Sequence, residues 1–403
     1  MSKKILIVTE YFYPEDFKIN EIALAWKEKG YEVDVLTQSP TYPFGKIYDG
    51  YKNIWYSKDT YKGITIYRVK AVTGYKTSKI KKLLKYFTFM FFGSIVSLKI
   101  GKKYDYIFGF DIAALTGMVP ATLLKKFYDK PVTLWVQDVW PDSVYAYGFK
   151  KTKFLESSLN AFVRFVYRHT SHFAISGQGF EKRILPYIAN NQDIEYLPNW
   201  ADEFNKDLEA FTFSDEERVQ FTFAGNVGKV QNLDNIIKAF GLLSDTDLQK
   251  AQLNIIGDGS HLENLKELVH NNNIPNVIFW GRQPRDEMYK YFKGSDFLIV
   301  SLIDEPIFEL TVPAKTQTYI AAGKPILAVI SGDAADIIRD NNLGYTAQPD
   351  NIDDIKNAFI QCINTSKEEI NNFTQNCEHL TQTTFNREKI IDSLLQLMTG
   401  QNK

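Results

Sequence analysis

The stretch FAGNVGKVQN, Phe223 to Asn232, ends an apolar run at Gly225, adds Gly228 and Lys229, and leads into a helical pattern from Leu233. Glycine lets a ligand approach the backbone closely. A helix start supplies unpaired N–H groups and the positive end of a dipole, and Lys229 adds a full charge. Together these suit a diphosphate, although a tight turn with a surface lysine would read the same way. The spacing is neither G-x-G-x-x-G nor G-x-x-x-x-G-K-[ST], so the common nucleotide signatures do not explain it.

Other strand-to-helix loops carry similar chemistry. In EPIFELTVPAKTQTYIAAGKPI, Glu305 to Ile326, Thr311 can cap a helix with Pro313 in its first turn, Lys315 lies near that start, and Asp304, Glu305 and Glu309 precede it. Carboxylates beside an anion site can accept hydrogen bonds from sugar or ribose hydroxyls. In IIGDGSHLENL, Gly257 and Gly259 close a strand and a helix is expected from Ser260; in WGRQPRDEM, Arg282 can reach a phosphate. Earlier, LWVQDVWPDSVYAYG puts Asp138 and Asp142 after a strand, as candidates for hydroxyl binding or proton transfer, and Trp140 offers an aromatic face for a sugar. Asp142 as a plain helix cap explains part of the pattern equally well. Tyr11 and Tyr13, in TEYFYPEDFKIN, would border an acceptor.

These loops need a scaffold that repeats strand, loop and helix. The apolar runs Ile5–Thr9, Val33–Thr37, Ile64–Val69, Tyr106–Phe110, Val132–Val136 and His172–Ile175 alternate with helical patterns. That rhythm implies a parallel sheet wrapped by helices. Pro198 and polar neighbours interrupt it between Tyr196 and Phe204, the expected hinge. It then restarts with Val219–Ala224, Leu253–Gly257, Val277–Trp280, Phe297–Val300, Pro325–Val329 and Tyr345–Ala347. The fold class is therefore α/β, with a first domain over 1–197, a second over 198–385, and a C-terminal segment 386–403 whose amphipathic helix, Arg387 to Met398, can pack back across the hinge. Two open α/β sheets in series place ligands at the carboxyl ends of strands.

A chain of 403 residues exceeds one ordinary core, and 44% hydrophobic with 24% charged residues is a globular composition. A net charge of -1 argues against a general nucleic-acid binder. Cys362 and Cys377 form neither a disulfide framework nor a metal spacing. Asp245-Thr-Asp247 has the spacing of a metal–nucleotide pair but sits at a polar helix end, and His172 of the His169/His172 pair begins a strand. No run reaches the ~18 apolar residues of a membrane span. The segment Lys76 to Tyr104 places an aromatic-rich centre between lysines, which fits either a core helix with solvated ends or, over Lys79–Lys103, a surface lying on anionic lipid.

FAGNVGKVQNLDNIIKAF, LNIIGDGSHLENL, VIFWGRQPRDEMYKYFKGSDFLIV and VPAKTQTYIAAGKPILAV follow the order and spacing of glycosyltransferase family 4, which the chain resembles over most of its length. VQDVWPDS and LPNWAD resemble the branch that builds bacterial capsule, O-antigen and exopolysaccharide units. The resemblance implies a GT-B fold, two facing Rossmann-like domains with an inter-domain cleft, the second holding the nucleotide sugar. It implies retaining transfer with no cofactor and no metal, a UDP-sugar as the expected donor, a lipid-linked saccharide as acceptor, and a cytoplasmic protein at the inner face of the plasma membrane. Gly225, Asn226, Gly228, Lys229, Gly257, Arg282 and Lys315 would then grip the donor, with Asp138, Lys229 and Glu309 nearest the chemistry. Two departures stand out. The family's second glutamate, which binds ribose, is matched only by Gln317 or Thr318, and the family's first-domain histidine by Asp138. Rival readings are a sugar-nucleotide epimerase on the same fold and a nucleotide-binding scaffold without turnover.

Overall fold

The computed structural model describes residues 2–75, 78–112, 114–146, 149–189, 192–201, 203–213, 217–306 and 308–400. The chain divides into two compact units, Met1–Leu197 with Ile391–Lys403, and Pro198–Ile390. The first division falls within the Pro198-marked interruption. The second lies inside the last helix, Arg387–Thr399, a few residues beyond the boundary expected at 386.

The first unit is built on an eight-stranded sheet: β1 (Lys4–Val8), β2 (Glu32–Gln38), β3 (Tyr56–Tyr61), β4 (Ile64–Val69), β5 (Tyr106–Asp111), β6 (Val132–Val136), β7 (His172–Ile175) and β8 (Asp193–Tyr196), in the order β3-β4-β2-β1-β5-β6-β7-β8. All pairs are parallel except β3 with β4. The central strands are near-continuous apolar runs because helices cover both faces of a parallel sheet. Ile5 to Val8 and Val132 to Val136 are buried throughout. β3 and β8 do not stand out in the sequence. They are edge strands, YSKDTY and DIEY, with two exposed side chains each, no buried ones, and charges that blunt an open edge.

The second unit is a six-stranded, all-parallel sheet: β9 (Val219–Ala224), β10 (Ala251–Ile256), β11 (Val277–Gly281), β12 (Phe297–Ser301), β13 (Ile326–Val329) and β14 (Gly344–Ala347), ordered β11-β10-β9-β12-β13-β14. Chain order reverses between β9 and β12, the switch point at which doubly wound sheets open a crevice beyond their carboxyl ends. Phe221 and Phe223 of β9 enter the core on one face, with Ile236, Phe240 and Phe359. Ala224 enters the core on the other, with Phe292, Tyr319 and Ile320. This alternation along one strand holds helices on both sides and fixes where its last residue, beside Gly225, ends.

Candidate functional site

Beyond the ends of β9, β10 and β11 lies a cavity of about 540 Å³. Gly225, Asn226, Gly257, Arg282, Lys315 and Thr318 all line it, from four separate loops and helices. The glycines are required by the packing. Gly257 has φ +144, and a Cβ there would stand 1.8 Å from Gly225 O; a Cβ on Gly259 would stand 2.2 Å from Val227 O. The two loops are laced together by Gly225 N donating to Ile256 O and Val227 N to Asp258 O. Gly225, at φ +138, leaves room for Lys315, whose Cε and Nζ would lie 2.6 and 2.7 Å from a Cβ.

Lys315 sits in the first turn of the helix Ala314–Ala321, its Nζ 3.6 Å from the centroid of the Phe223 ring. Among the described residues no carboxylate forms an ion pair with it, and burial drives its pKa down to about 7. An ammonium held against an aromatic face at a helix N-terminus, with no counter-ion, is a place for an anion. The pocket's deep wall is Tyr319, whose hydroxyl accepts from Ala224 N at 3.2 Å and donates to Ala224 O at 3.3 Å. Arg285 also lines the cavity and is absent from the residues expected from sequence; it lies three residues past Arg282, on the 3-10 turn Arg285–Glu287 that the local pattern does not reveal.

Several expected residues lie outside this lining. Lys229 is exposed, because a 3-10 turn, Lys229–Gln231, intervenes before the helix Leu233–Gly241 and carries it to the surface. Gly228 is part of the same turn, where its N–H donates to Gln231 Oε1 at 3.0 Å. Gln317 is buried, with its amide nitrogen directed at Pro313 O (3.0 Å) and Ala314 O (3.3 Å), so it serves its own helix start. Thr318 alone of the two ribose candidates faces the cavity. Glu309 is exposed, and its carbonyl accepts from Asp333 N at 2.8 Å. Thr311 is not the cap, since Pro313 itself occupies that position, and the helix expected from Ser260 begins at Leu262.

In the first unit, Asp138 follows β6 and burial raises its pKa to about 6. Asp142 is the first residue of a helix, Asp142–Ala146, rather than its cap, with Arg183 Nη1 at 3.8 Å. Trp140 packs toward Phe162, 6.2 Å between ring centroids. Tyr13 stacks on Tyr61 at 3.8 Å, whereas Tyr11 is buried and hydrogen-bonds Lys85 Nζ. Two carboxylates that the motifs do not single out, Glu10 after β1 and Asp111 at the end of β5, are almost wholly buried. Their positions at strand ends were the available signal.

The basic segment forms a 22-residue helix, Lys79–Ile100, capped by Ser78; Lys76 and the side chains of 79, 80, 82 and 83 lie outside the described residues. The stretch Leu84–Lys103 is apolar enough by length and composition to cross a membrane. Its faces differ. Lys85, Phe89, Val96 and Ser97 are buried against the unit, while Leu84, Phe87, Phe91 and Ile95 form one exposed stripe.

An open, all-parallel sheet with a glycine-walled, cation-bearing cavity at its switch point is a doubly wound fold of the kind that binds nucleotides. Residues 205–379 match the family model described as Glycosyl transferases group 1. The chain is 28% identical over 258 residues to the probable glycosyltransferase WbjE of Pseudomonas aeruginosa, covering 58% of this chain and 62% of that one. It is 23% identical to the putative colanic acid biosynthesis glycosyl transferase WcaI of Escherichia coli K12, covering 76% of each. HepE of Anabaena, solved in complex with UDP, superposes with a TM-score of 0.65 at 13% identity, over 98% of this chain and 100% of that one. The fold is that of the GT-B glycosyltransferases, the second unit matches a glycosyl transferase family model, and the relatives include one named for colanic acid biosynthesis.

Proposed function

We propose that this protein transfers a sugar from a nucleotide diphosphate sugar, with UDP as the nucleotide, to a lipid-linked saccharide in surface-polysaccharide assembly. Transfer proceeds with retention and without a metal ion. The observation that carries this reading is Lys315: a partly buried ammonium with no ion-pair partner among the described residues, at a helix start beside Gly225. As the bond to the sugar breaks, negative charge develops on the leaving diphosphate. Preorganised cations and amides stabilise that charge most where water is excluded. Lys315 and Arg282 supply the cations and the Gly225 loop the close approach. Lys229 lies outside the cavity lining, on the surface. Thr318 offers a neutral hydroxyl where the family resemblance leads one to expect a carboxylate, and so a weaker hold on ribose.

In the first unit Asp138, its pKa raised by burial to about 6, is the candidate to bind an acceptor hydroxyl. The exposed stripe Leu84, Phe87, Phe91 and Ile95, with Lys81 and Lys99 near its ends, lies on the anionic inner face of the membrane that holds the lipid acceptor.

The test has two stages. UDP at a hundredfold excess over its dissociation constant should stabilise the protein by about 2.7 kcal/mol in a thermal melt. Incubation with UDP-sugars and a polyprenyl-diphosphate saccharide, with chelator present, should then yield a longer saccharide of unchanged anomeric configuration. An epimerised sugar nucleotide without acceptor, or binding with no turnover on any lipid-linked saccharide, would replace this reading with one of its rivals.

A further inference from the structure

The lining of the cavity in the second unit divides by chemistry along the strand order β11-β10-β9-β12. The ends of β9 and β10 and the helix Ala314–Ala321 bring Gly225, Gly257, Gly259 and Lys315, groups that suit a diphosphate. The loop after β11 and the helix Met288–Gly294 bring Gln283, Met288 and Phe292, apolar atoms with one amide. That amide is held in place: Gln283 Nε2 donates to Trp280 O at 2.8 Å, and Oε1 accepts from the Tyr291 hydroxyl at 3.0 Å. An apolar wall with one fixed amide suits a base.

Thr318 stands where these two regions meet. It lies three residues past Lys315 on one helix, so the two side chains project on the same side, about 5–6 Å apart at Cβ. The next residue, Tyr319, holds Ala224 beside Gly225 through its hydroxyl, and its ring meets that of Phe292 edge-on at 5.4 Å. A nucleotide with its diphosphate at Lys315 and its base against Met288 and Phe292 therefore passes its pentose over Thr318. A ribose offers two neighbouring hydroxyls there. A carboxylate would accept from both, through charge-assisted bonds. Thr318 has one oxygen, and its proton is already given to Ala314 O at 2.9 Å. It can accept from a pentose hydroxyl but has no proton left to donate. Gln317 does not take its place, because its amide nitrogen faces Pro313 O and Ala314 O. Asp258 is the one carboxylate among the described lining residues. It is exposed, its Oδ1 accepts from Gly259 N at 2.7 Å, and it follows β10, which β9 separates from the strand that leads into the helix of Thr318.

We propose that this cavity does not select for the pentose 2′-hydroxyl, so that it takes 2′-deoxyribonucleoside diphosphate sugars as well as their ribonucleotide counterparts, with Thr318 the residue that sets this tolerance. The inference rests on the reading of the cavity as the donor site. Discrimination against a missing hydroxyl comes from protein groups left unpaired in its absence, and a site built around that hydroxyl rejects the deoxy analogue by about 10⁴–10⁵. Here the loss strands no buried group. Thr318 is half-buried, its proton is already placed, and water can supply the hydrogen bond that the hydroxyl would have given.

Calorimetric titration of the full-length protein with UDP and with 2′-deoxy-UDP is the test. The two dissociation constants should agree within about tenfold, the range of one neutral hydrogen bond. A larger preference for UDP overturns the proposal. Thr318→Glu, checked for folding by its thermal melt, should raise the preference for UDP by about tenfold or more, since a carboxylate accepts from both hydroxyls. The ratio cancels any repulsion between the new charge and the diphosphate, which both ligands share. An unchanged ratio in the folded variant also overturns the proposal, because the pentose then lies elsewhere. If Thr318→Glu does not fold, the native ratio decides alone. If neither nucleotide binds, the donor-site reading itself falls and takes this inference with it, an outcome distinct from a strong preference for UDP, which leaves that reading standing.

Discussion

In the proposed function donor binding turns on Lys315, and its charge is conditional. Desolvation lowers its pKa to about 7. A bound diphosphate favours the protonated form, so binding takes up a proton when the pH exceeds that value. The sign follows: nucleotide affinity is greatest below about pH 7 and weakens as pH rises above it, toward about tenfold per unit for one linked proton. Calorimetric titration of UDP in buffers of differing ionisation enthalpy at pH 8 should register that uptake, and Lys315→Met should abolish it while lowering turnover about 10²-fold or more. Uptake that persists in Lys315→Met would place the titrating group elsewhere. Gly257 makes a steric prediction. Its φ of +144 and the 1.8 Å approach of a Cβ to Gly225 O mean that alanine must push two backbone loops apart. Gly257→Ala should cost about 1–3 kcal/mol in denaturant unfolding and weaken UDP binding together, because the strained position and the cavity wall are the same atoms. Gly225→Ala is also strained, at φ +138, but its Cβ meets the flexible end of Lys315 rather than backbone, so it should cost less stability than Gly257→Ala while weakening binding.

At the scale of elements, the helix Lys79–Ile100 separates two duties by face. Its inward face delivers Lys85 to Tyr11 and Glu10; its outward face carries Leu84, Phe87, Phe91 and Ile95. Replacing Phe87 and Phe91 with serine should therefore reduce sedimentation with vesicles containing anionic lipid by several-fold, weaken further with salt, and leave the melting temperature nearly unchanged, since neither ring is in the core. Equal binding of native and variant protein would remove the membrane assignment. The same helix shows where the sequence was readable. Phenylalanines too numerous for one stripe signal two apolar faces, and the structure divides them between core and surface. The central strands were legible for a related reason: Val132–Val136 and Val219–Ala224 are buried on both faces, and a run so rich in apolar residues at strand length fits little but a strand covered on both sides. β3 and β8 were not, because an edge strand buries too little to mark its sequence. Gly225, Gly257, Arg282 and Lys315, expected from strand–turn–helix order, line the cavity. Lys229 lies outside that lining because a 3-10 turn leaves no periodicity to read, and Gln317 because a polar side chain on a helix gives no sign of whether it faces a cavity or its own backbone.

At the scale of the whole molecule, the chain leaves its first unit at Leu197 and returns to it from Ile391. The returning helix is integrated into that unit. Ile391, Leu394 and Met398 are buried, Trp26 Nε1 donates to Ile391 O at 3.2 Å, and Lys29 pairs with Asp392 at 2.9 Å. The exposed ion pair is worth little, and the apolar side chains dominate. Trp26 lies on the helix Lys18–Glu28 that covers β1, with Phe108 of β5 against its ring at 4.9 Å. The last residues of the chain therefore support the strands whose ends carry Glu10 and Asp111, although more than 350 residues separate Trp26 from Ile391. Leu394→Ala should leave a cavity and cost about 2–5 kcal/mol, and the loss should be local to one unit. Native-state hydrogen exchange resolves this: amides of β1 and β5 should lose protection in Leu394→Ala while those of β9 and β12 keep theirs, and UDP binding by the second unit should survive. If β9 and β12 weaken equally, the helix stabilises both units together; if nothing weakens, it is a tail that contributes no stability. The expected result would make the first unit, with the buried carboxylates at its strand ends and the apolar stripe of its helix Lys79–Ile100, depend for its stability on a segment read only after the second unit is complete.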